Sequence, residues 1–125
     1  MILPAADELL APVMAIDGFR LACLIDGSTG MVLASLEKQD GPAPSVAAAG
    51  AADVINVLTL LNGRLATGEN LEDVMVTFSD SFFMVRPVRV DQAPQILLLV
   101  IADRQRTNLA MAHRSIRDFC ASFTS

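Results

Sequence analysis

One stretch of the chain lacks the polar alternation found elsewhere. Residues 95–103 read QILLLVIAD, with Ile96, Leu97, Leu98, Leu99, Val100 and Ile101 in unbroken succession. A strand with one wet face alternates with period two, so an unbroken apolar run of this length predicts a strand covered on both faces, at the centre of a sheet. The run is also far too short to span a bilayer. A sheet buried in this way needs helical layers on both sides, and the other segments are read for what supplies them.

A short helix is predicted first, opened by Pro4 and the acids Asp7 and Glu8, which suit a helix first turn. Leu9, Val13 and Ile16 form its apolar stripe, and Asp17-Gly18 stops it. Residues 19–25 and 31–36 are two strands joined by the turn DGSTG at 26–30, a hairpin signal. The polar, proline-bearing segment 37–44 is a loop. Ser45 is the expected cap of a helix running to about residue 66, with Gly68 as its stop. On it Ala47, Ala51, Val54, Leu58, Leu61 and Leu65 recur at helical spacing and are expected to lie on the sheet.

Residues 71–78 form the next strand, with Val74, Val76 and Phe78 on one side, and Ser79-Asp80-Ser81 turns it. Residues 82–90 follow as a strand in which Pro87 predicts a bulge or an early end to pairing. Asp91 to Pro94 lead into the central run. Thr107 is the expected cap of a last helix with Leu109, Ala112, Ile116, Phe119 and Phe123 inward, and Arg114, Arg117 and Asp118 outward. The order is α-β-β-α-β-β-β-α, and the hairpins imply a mostly antiparallel sheet. The two terminal helices would cover one face and the central helix the other, in a single domain over residues 1–125.

Composition adds a second theme. Apolar residues make up 53% of 125 residues and charged ones 18%. That is rich for a small soluble monomer and points to surface buried in a partner. The net charge of −5, with no basic cluster, argues against nucleic acid as a target. Cys23 and Cys120 read as small buried hydrophobes, although their spacing alone leaves a disulfide open. The N-terminus lacks the pattern of a signal peptide, so a cytoplasmic location is the expectation, without membrane insertion.

Catalytic constellations are not found in the sequence. His113 is the one histidine, and it sits a helical turn from Leu109 as a boundary residue. One histidine and two distant cysteines make no zinc site. DGSTG lacks the lysine and spacing of a phosphate-binding loop. The acids Asp26, Asp40, Asp53, Glu69, Glu72, Asp73 and Asp80 are scattered over loops and ends, and none is paired for acid–base work. The expectation is a protein that is not an enzyme and holds no cofactor or metal.

The informative element is the central helix, which carries a second apolar stripe. Val46, Gly50, Val57 and Leu60 lie about a quarter turn from the first stripe, flanked by Asp53, Asn56 and Arg64. This stripe is expected to meet another chain, with Gly50 as a low spot for a partner helix and Asp53 and Arg64 as rim charges.

These segments together resemble the roadblock/dynein-light-chain family. The resemblance rests on DGFRLACLIDGSTGMVLAS, the alanine-rich helix, VMVTFSDSFFMVRPV and QILLLVIAD, and on IADRQRTNLAMAHRSI, where Asn108-Leu109 stands in the place of a family Asn-Leu pair. It implies a three-layer α/β/α sandwich with a five-stranded antiparallel sheet. It also implies a homodimer paired through the central helix (45–66) and the strand after it (71–78), which adds Val74 and Val76 to the interface. Bacterial members commonly regulate or scaffold small Ras-like GTPases, so such a GTPase is the implied partner. A small-molecule sensor or a general interaction scaffold is the alternative reading, and it needs a pocket with convergent polar groups.

Overall fold

The computed structural model describes residues 6–38, 41–88 and 95–122. Pro4, Asp40, the 89–94 approach to the central strand and Phe123 lie outside the described residues. The elements are α1 (Ala6–Met14), β1 (Phe19–Asp26), β2 (Val32–Glu37), α2 (Pro44–Leu65), β3 (Val74–Thr77), β4 (Ser81–Val88), β5 (Ile96–Asp103) and α3 (Leu109–Ala121). Their order is the one the hydrophobic pattern predicts.

The five strands form one sheet in the order β2-β1-β5-β4-β3, antiparallel throughout. β5 is therefore the middle strand, between β1 and β4. Its unbroken apolar run follows from this position, because alternate side chains enter two different cores. Leu98, Val100 and Ala102 join Ala22 and Leu24 of β1 beneath α1 and α3. Leu97, Leu99 and Ile101 join Leu21, Cys23 and Ile25 beneath α2. Each fully buried Leu, Ile or Val stabilises the fold by roughly 1.5–3 kcal/mol before the entropy of ordering is subtracted. Both cysteines are free and buried, one in each core.

The first hairpin closes as its sequence suggests. Gly30 takes a positive φ of 79° and donates its N–H to the Asp26 carbonyl at 2.7 Å. The Asp26 carboxylate accepts from the Ser28 hydroxyl (2.6 Å) and amide (2.9 Å). These bonds, the hydroxyl's first, hold the Asp26 carboxyl below the usual carboxylate range.

Several local expectations are corrected. Ser45 does not cap α2. The cap is Ala43, which makes no side-chain hydrogen bond, and Pro44 opens the helix where its missing N–H is one of the unpaired donors anyway. At the other end the C-cap is Ala66 (φ 55°), and Gly68 (φ 76°), two residues further on, is left-handed as well. The Asn62 side chain makes this turn possible by donating to the Glu69 carbonyl (2.7 Å) and accepting from the Thr67 hydroxyl (3.3 Å). Asn108, not Thr107, caps α3, accepting from the Met111 amide at 3.2 Å. Thr107 instead donates to the Asp17 and Asp103 carbonyls and ties the start of α3 to the turn between α1 and β1.

Pro87 causes no bulge: the β4·β5 register runs evenly from Ser81 to Val88, with Pro87 opposite Leu97. β3 stops pairing at Val85, so β4 has an open side at Pro87, where a missing N–H costs little. β3 itself is shorter than the predicted 71–78, only Val74–Thr77.

Candidate interaction surface

The largest departure from the sequence reading concerns which side of α2 meets the sheet. The buried residues of this helix are Ala48, Ala51, Ala52 and Ile55. The stripe expected there is mostly outside: Val54 is 40% exposed, Leu61 49% and Leu65 62%. Only Ala51 of that stripe is buried, with Ala47 and Leu58 half-buried. Sheet contact goes to the smallest side chains because these let the helix axis come close to the strands. A Cβ added to Gly30 of the β1–β2 turn would stand 3.6 Å from the Ala52 Cβ.

This rotation joins the two apolar stripes into one exposed arc. Val46 (73% exposed), Val57 (65%) and Leu60 (58%) form its outer edge. At about 100° per residue Val54, Leu61 and Leu65 continue it toward β3. Gly50, Asp53, Asn56 and Arg64 are also exposed. A methyl group built on Gly50 would meet nothing within 4 Å, so the expected low spot is present as open surface. α2 is 22 residues long and apolar enough, by length and composition, to cross a membrane. Its alanine face is nevertheless packed on the sheet, and only its outer surface is unclaimed by the protomer.

β3 is an edge strand, paired with β4 alone. Val74 and Val76 are half-buried and point to the α2 side, while Met75 and Thr77 are exposed on the other. Between the first half of α2 and this edge runs a groove of about 510 Å³. Val46, Gly50 and Val54 line one wall, and Val76, Phe78 and Phe83 the other. The two phenyl rings meet edge to face at 4.9 Å, and the Arg104 guanidinium donates to the Phe78 carbonyl at 3.2 Å. Every residue lining the groove is apolar. The expected interface residues thus fall on one side of the molecule, with Asp53, Asn56 and Arg64 on the outer face and Val74 and Val76 at the strand edge.

A polar cluster that the sequence did not suggest lies at the opposite end of β3. One carboxylate oxygen of Asp73 accepts from Arg86 of β4 at 2.9 Å and contacts His113 Nε2 of α3 at 2.7 Å. The three are separated by 13 and 40 positions in sequence, so only the fold brings them together. His113 lies at the layer boundary, as expected, and Asp73 is its one hydrogen-bond partner among the described residues. The cluster fastens the start of β3 to the layer behind the sheet. Both thiols are pushed up to about 11 by burial, with Glu37 adding to this at Cys23 and Arg86 opposing it at Cys120. Among the described residues no three His, Cys, Asp or Glu side chains gather as metal ligands.

No protein-family model matches the sequence, and no curated protein does. Solved structures do match. An MglB in a tetrameric arrangement superposes with a TM-score of 0.80 at 21% identity, covering 98% of this chain and 90% of that one. A Roadblock/LC7 domain from Streptomyces avermitilis gives 0.79 at 18% identity, over 95% and 94%. The gliding protein MglB of Thermus thermophilus gives 0.76 at 20% identity, over 96% and 89%. At such identities a likeness speaks for the fold, and it extends over nearly the whole chain: this protein is folded as a Roadblock/LC7-type domain, the family its sequence resembles.

Proposed function

We propose that this protein is a homodimeric regulator or scaffold, without catalytic activity of its own, that binds a small Ras-like GTPase in the bacterial cytoplasm and modulates its nucleotide cycle or location. The observation that carries the reading is the apolar arc of α2, continuous with an apolar groove and an open strand edge. Stable interfaces typically bury about 1,200–2,000 Å² in total, and a helix face with an adjoining edge strand can supply this. In an antiparallel pair of α2 helices centred between them, Asp53 of one copy would face Arg64 of the other. The GTPase partner rests on the family resemblance and on the likeness to MglB structures. Such a protein acts by binding one nucleotide state of its partner more tightly than the other, which needs surface complementarity and no chemistry of its own. A small-molecule sensor is less well supported, because the groove offers no polar group to orient a ligand.

Two measurements test this. Light scattering should report a dimer at micromolar concentration, and Val57→Asp or Leu60→Asp should convert it to a folded monomer. The purified protein should also bind at least one Ras-like GTPase of its organism, loaded with GDP or a GTP analogue, and change its hydrolysis or exchange rate. A monomeric wild type removes the dimer. Failure to bind any such GTPase in either state removes the partner and leaves a dimeric scaffold.

A further inference from the structure

The edge strand β3 is short and unevenly held. It pairs with β4 through four residues, Val74–Thr77, and has no strand on its other side among the described residues. Its far end is closed by a tight turn: the Phe78 N–H donates to the Ser81 carbonyl at 2.9 Å, and the Phe78 carbonyl accepts from Arg104 at 3.2 Å. Its near end is entered from residues 70–73, which make no main-chain hydrogen bond among the described residues. There the half-buried Leu71 packs against the core beneath α2, and the polar tie is Asp73. An edge strand with one ladder and a slack entry opens at a small cost in free energy, because opening regains chain entropy.

Asp73 is held from behind the sheet. One of its carboxylate oxygens accepts from Arg86 Nη1 at 2.9 Å and from His113 Nε2 at 2.7 Å. A carboxylate only accepts, so Nε2 carries a proton and donates whether the imidazole is neutral or charged. Arg86 stands opposite Leu98, whose side chain enters the core beneath α1 and α3, and His113 stands on α3 itself. Both partners of Asp73 therefore lie on the face of the sheet away from α2 and its exposed apolar arc.

We propose that this cluster is a latch that holds β3 ready for the second copy, so that His113, on the face opposite the apolar arc, sets the strength of association. This rests on the dimer reading above. Association through the strand edge needs β3 in place in both protomers. If a fraction f of each protomer is competent, the apparent dissociation constant rises by 1/f for each copy, and so by 1/f² for the pair. A released latch that leaves β3 in place in about one third of protomers thus weakens the dimer about ninefold. Arg86 still holds Asp73 when His113 is lost, so removing Asp73 itself has the larger effect.

The test uses the full chain. His113→Ala takes away one half of the latch and leaves α3 a good helix, since alanine is the best helix former. Analytical ultracentrifugation should give it a dimer dissociation constant about tenfold above that of the wild type. His113→Gln, whose amide can donate from near the position of Nε2, should recover most of the loss. Asp73→Ala should weaken the dimer further, and His113→Ala/Asp73→Ala no further than Asp73→Ala alone, because both act through one contact. In the Val57→Asp background, adding His113→Ala should speed hydrogen exchange at the amides of Val74–Thr77, while Leu98 and Val100 of β5 keep their protection. In a dimeric protein, a dissociation constant unchanged by His113→Ala overturns the latch and leaves the dimer reading standing. Equal losses for His113→Ala and His113→Gln, additive losses in the double variant, or unchanged exchange in β3 do the same. A monomeric wild type overturns both.

Discussion

Beneath α1 and α3 the sheet meets Leu10, Val13, Ile116 and Phe119; beneath α2 it meets Ala48, Ala51, Ala52 and Ile55. The first face is closed by two helices that turn large side chains inward and leave Arg114, Arg117 and Asp118 exposed. The second is closed by one helix that uses its small side chains inward and exposes Val46, Val57, Leu60 and Leu65. Burial of apolar area drives both arrangements, but only the first is completed within the protomer. On the α2 side, Ile55 is the one large apolar residue of the helix that is buried, while Val46, Val54, Val57, Leu60, Leu61 and Leu65 are turned out, which is the expected form of a layer completed by another chain.

The largest effect should come from the self-contained face. Phe119→Ala, at a position 7% exposed, should lower unfolding free energy by about 3–5 kcal/mol. Leu65→Ala, at 62% exposure, should change the protomer's stability by less than about 0.5 kcal/mol. Urea titrations below the dimer dissociation range make the comparison, and similar losses at the two sites would erase the distinction between the faces.

An intermediate effect comes from the two thiols, one on each face. Each is raised from an ordinary value of 9.0 to about 11, so in the folded chain it keeps its proton where the unfolded chain has lost it. The stability this gives is complete below pH 9 and is lost as pH rises through about 11, a change on the order of 2 kcal/mol per thiol. Thermal midpoints between pH 8 and 11 should fall less steeply in Cys23→Ala and in Cys120→Ala than in the wild type. If only Cys120→Ala flattens the curve, the α2 face already admits water and its core is the looser of the two.

The smallest effect separates the two sides of α2 itself. Methyl groups built on Gly50 or Gly63 meet nothing within 4 Å in the protomer. Gly63→Ala should therefore stabilise the helix by about 1 kcal/mol and leave association unchanged. Gly50→Ala should give the same gain in the monomer but weaken the dimer, because Gly50 lies in the groove proposed to receive the second copy. Equal dimer dissociation constants for the two variants would place the partner elsewhere.

Much of this architecture was legible along the chain. The run at 96–101 specified a strand covered on both faces, because no other environment rewards consecutive apolar residues in an extended backbone. DGSTG specified a hairpin through the backbone freedom of Gly30 and the side-chain bonds of Asp26. The order of elements, their antiparallel pairing and the placing of Val46, Val57 and Leu60 on an exposed helix face could also be read directly.

What the sequence could not decide was the rotation of α2 about its own axis. Alanines and leucines both count as apolar, so periodicity shows several stripes on this helix without saying which one the sheet will take. Tertiary packing chose the alanines, since close approach to the strands requires short side chains, and so turned Val54, Leu61 and Leu65 outward. The caps followed the same rule: Ser45, Gly68 and Thr107 have suitable chemistry, but the path of the chain placed Ala43, Ala66 and Asn108 at those ends. The Asp73 cluster was beyond any local reading, because a carboxylate, a guanidinium and an imidazole on three separate segments become neighbours only when the sheet and α3 have closed on one another.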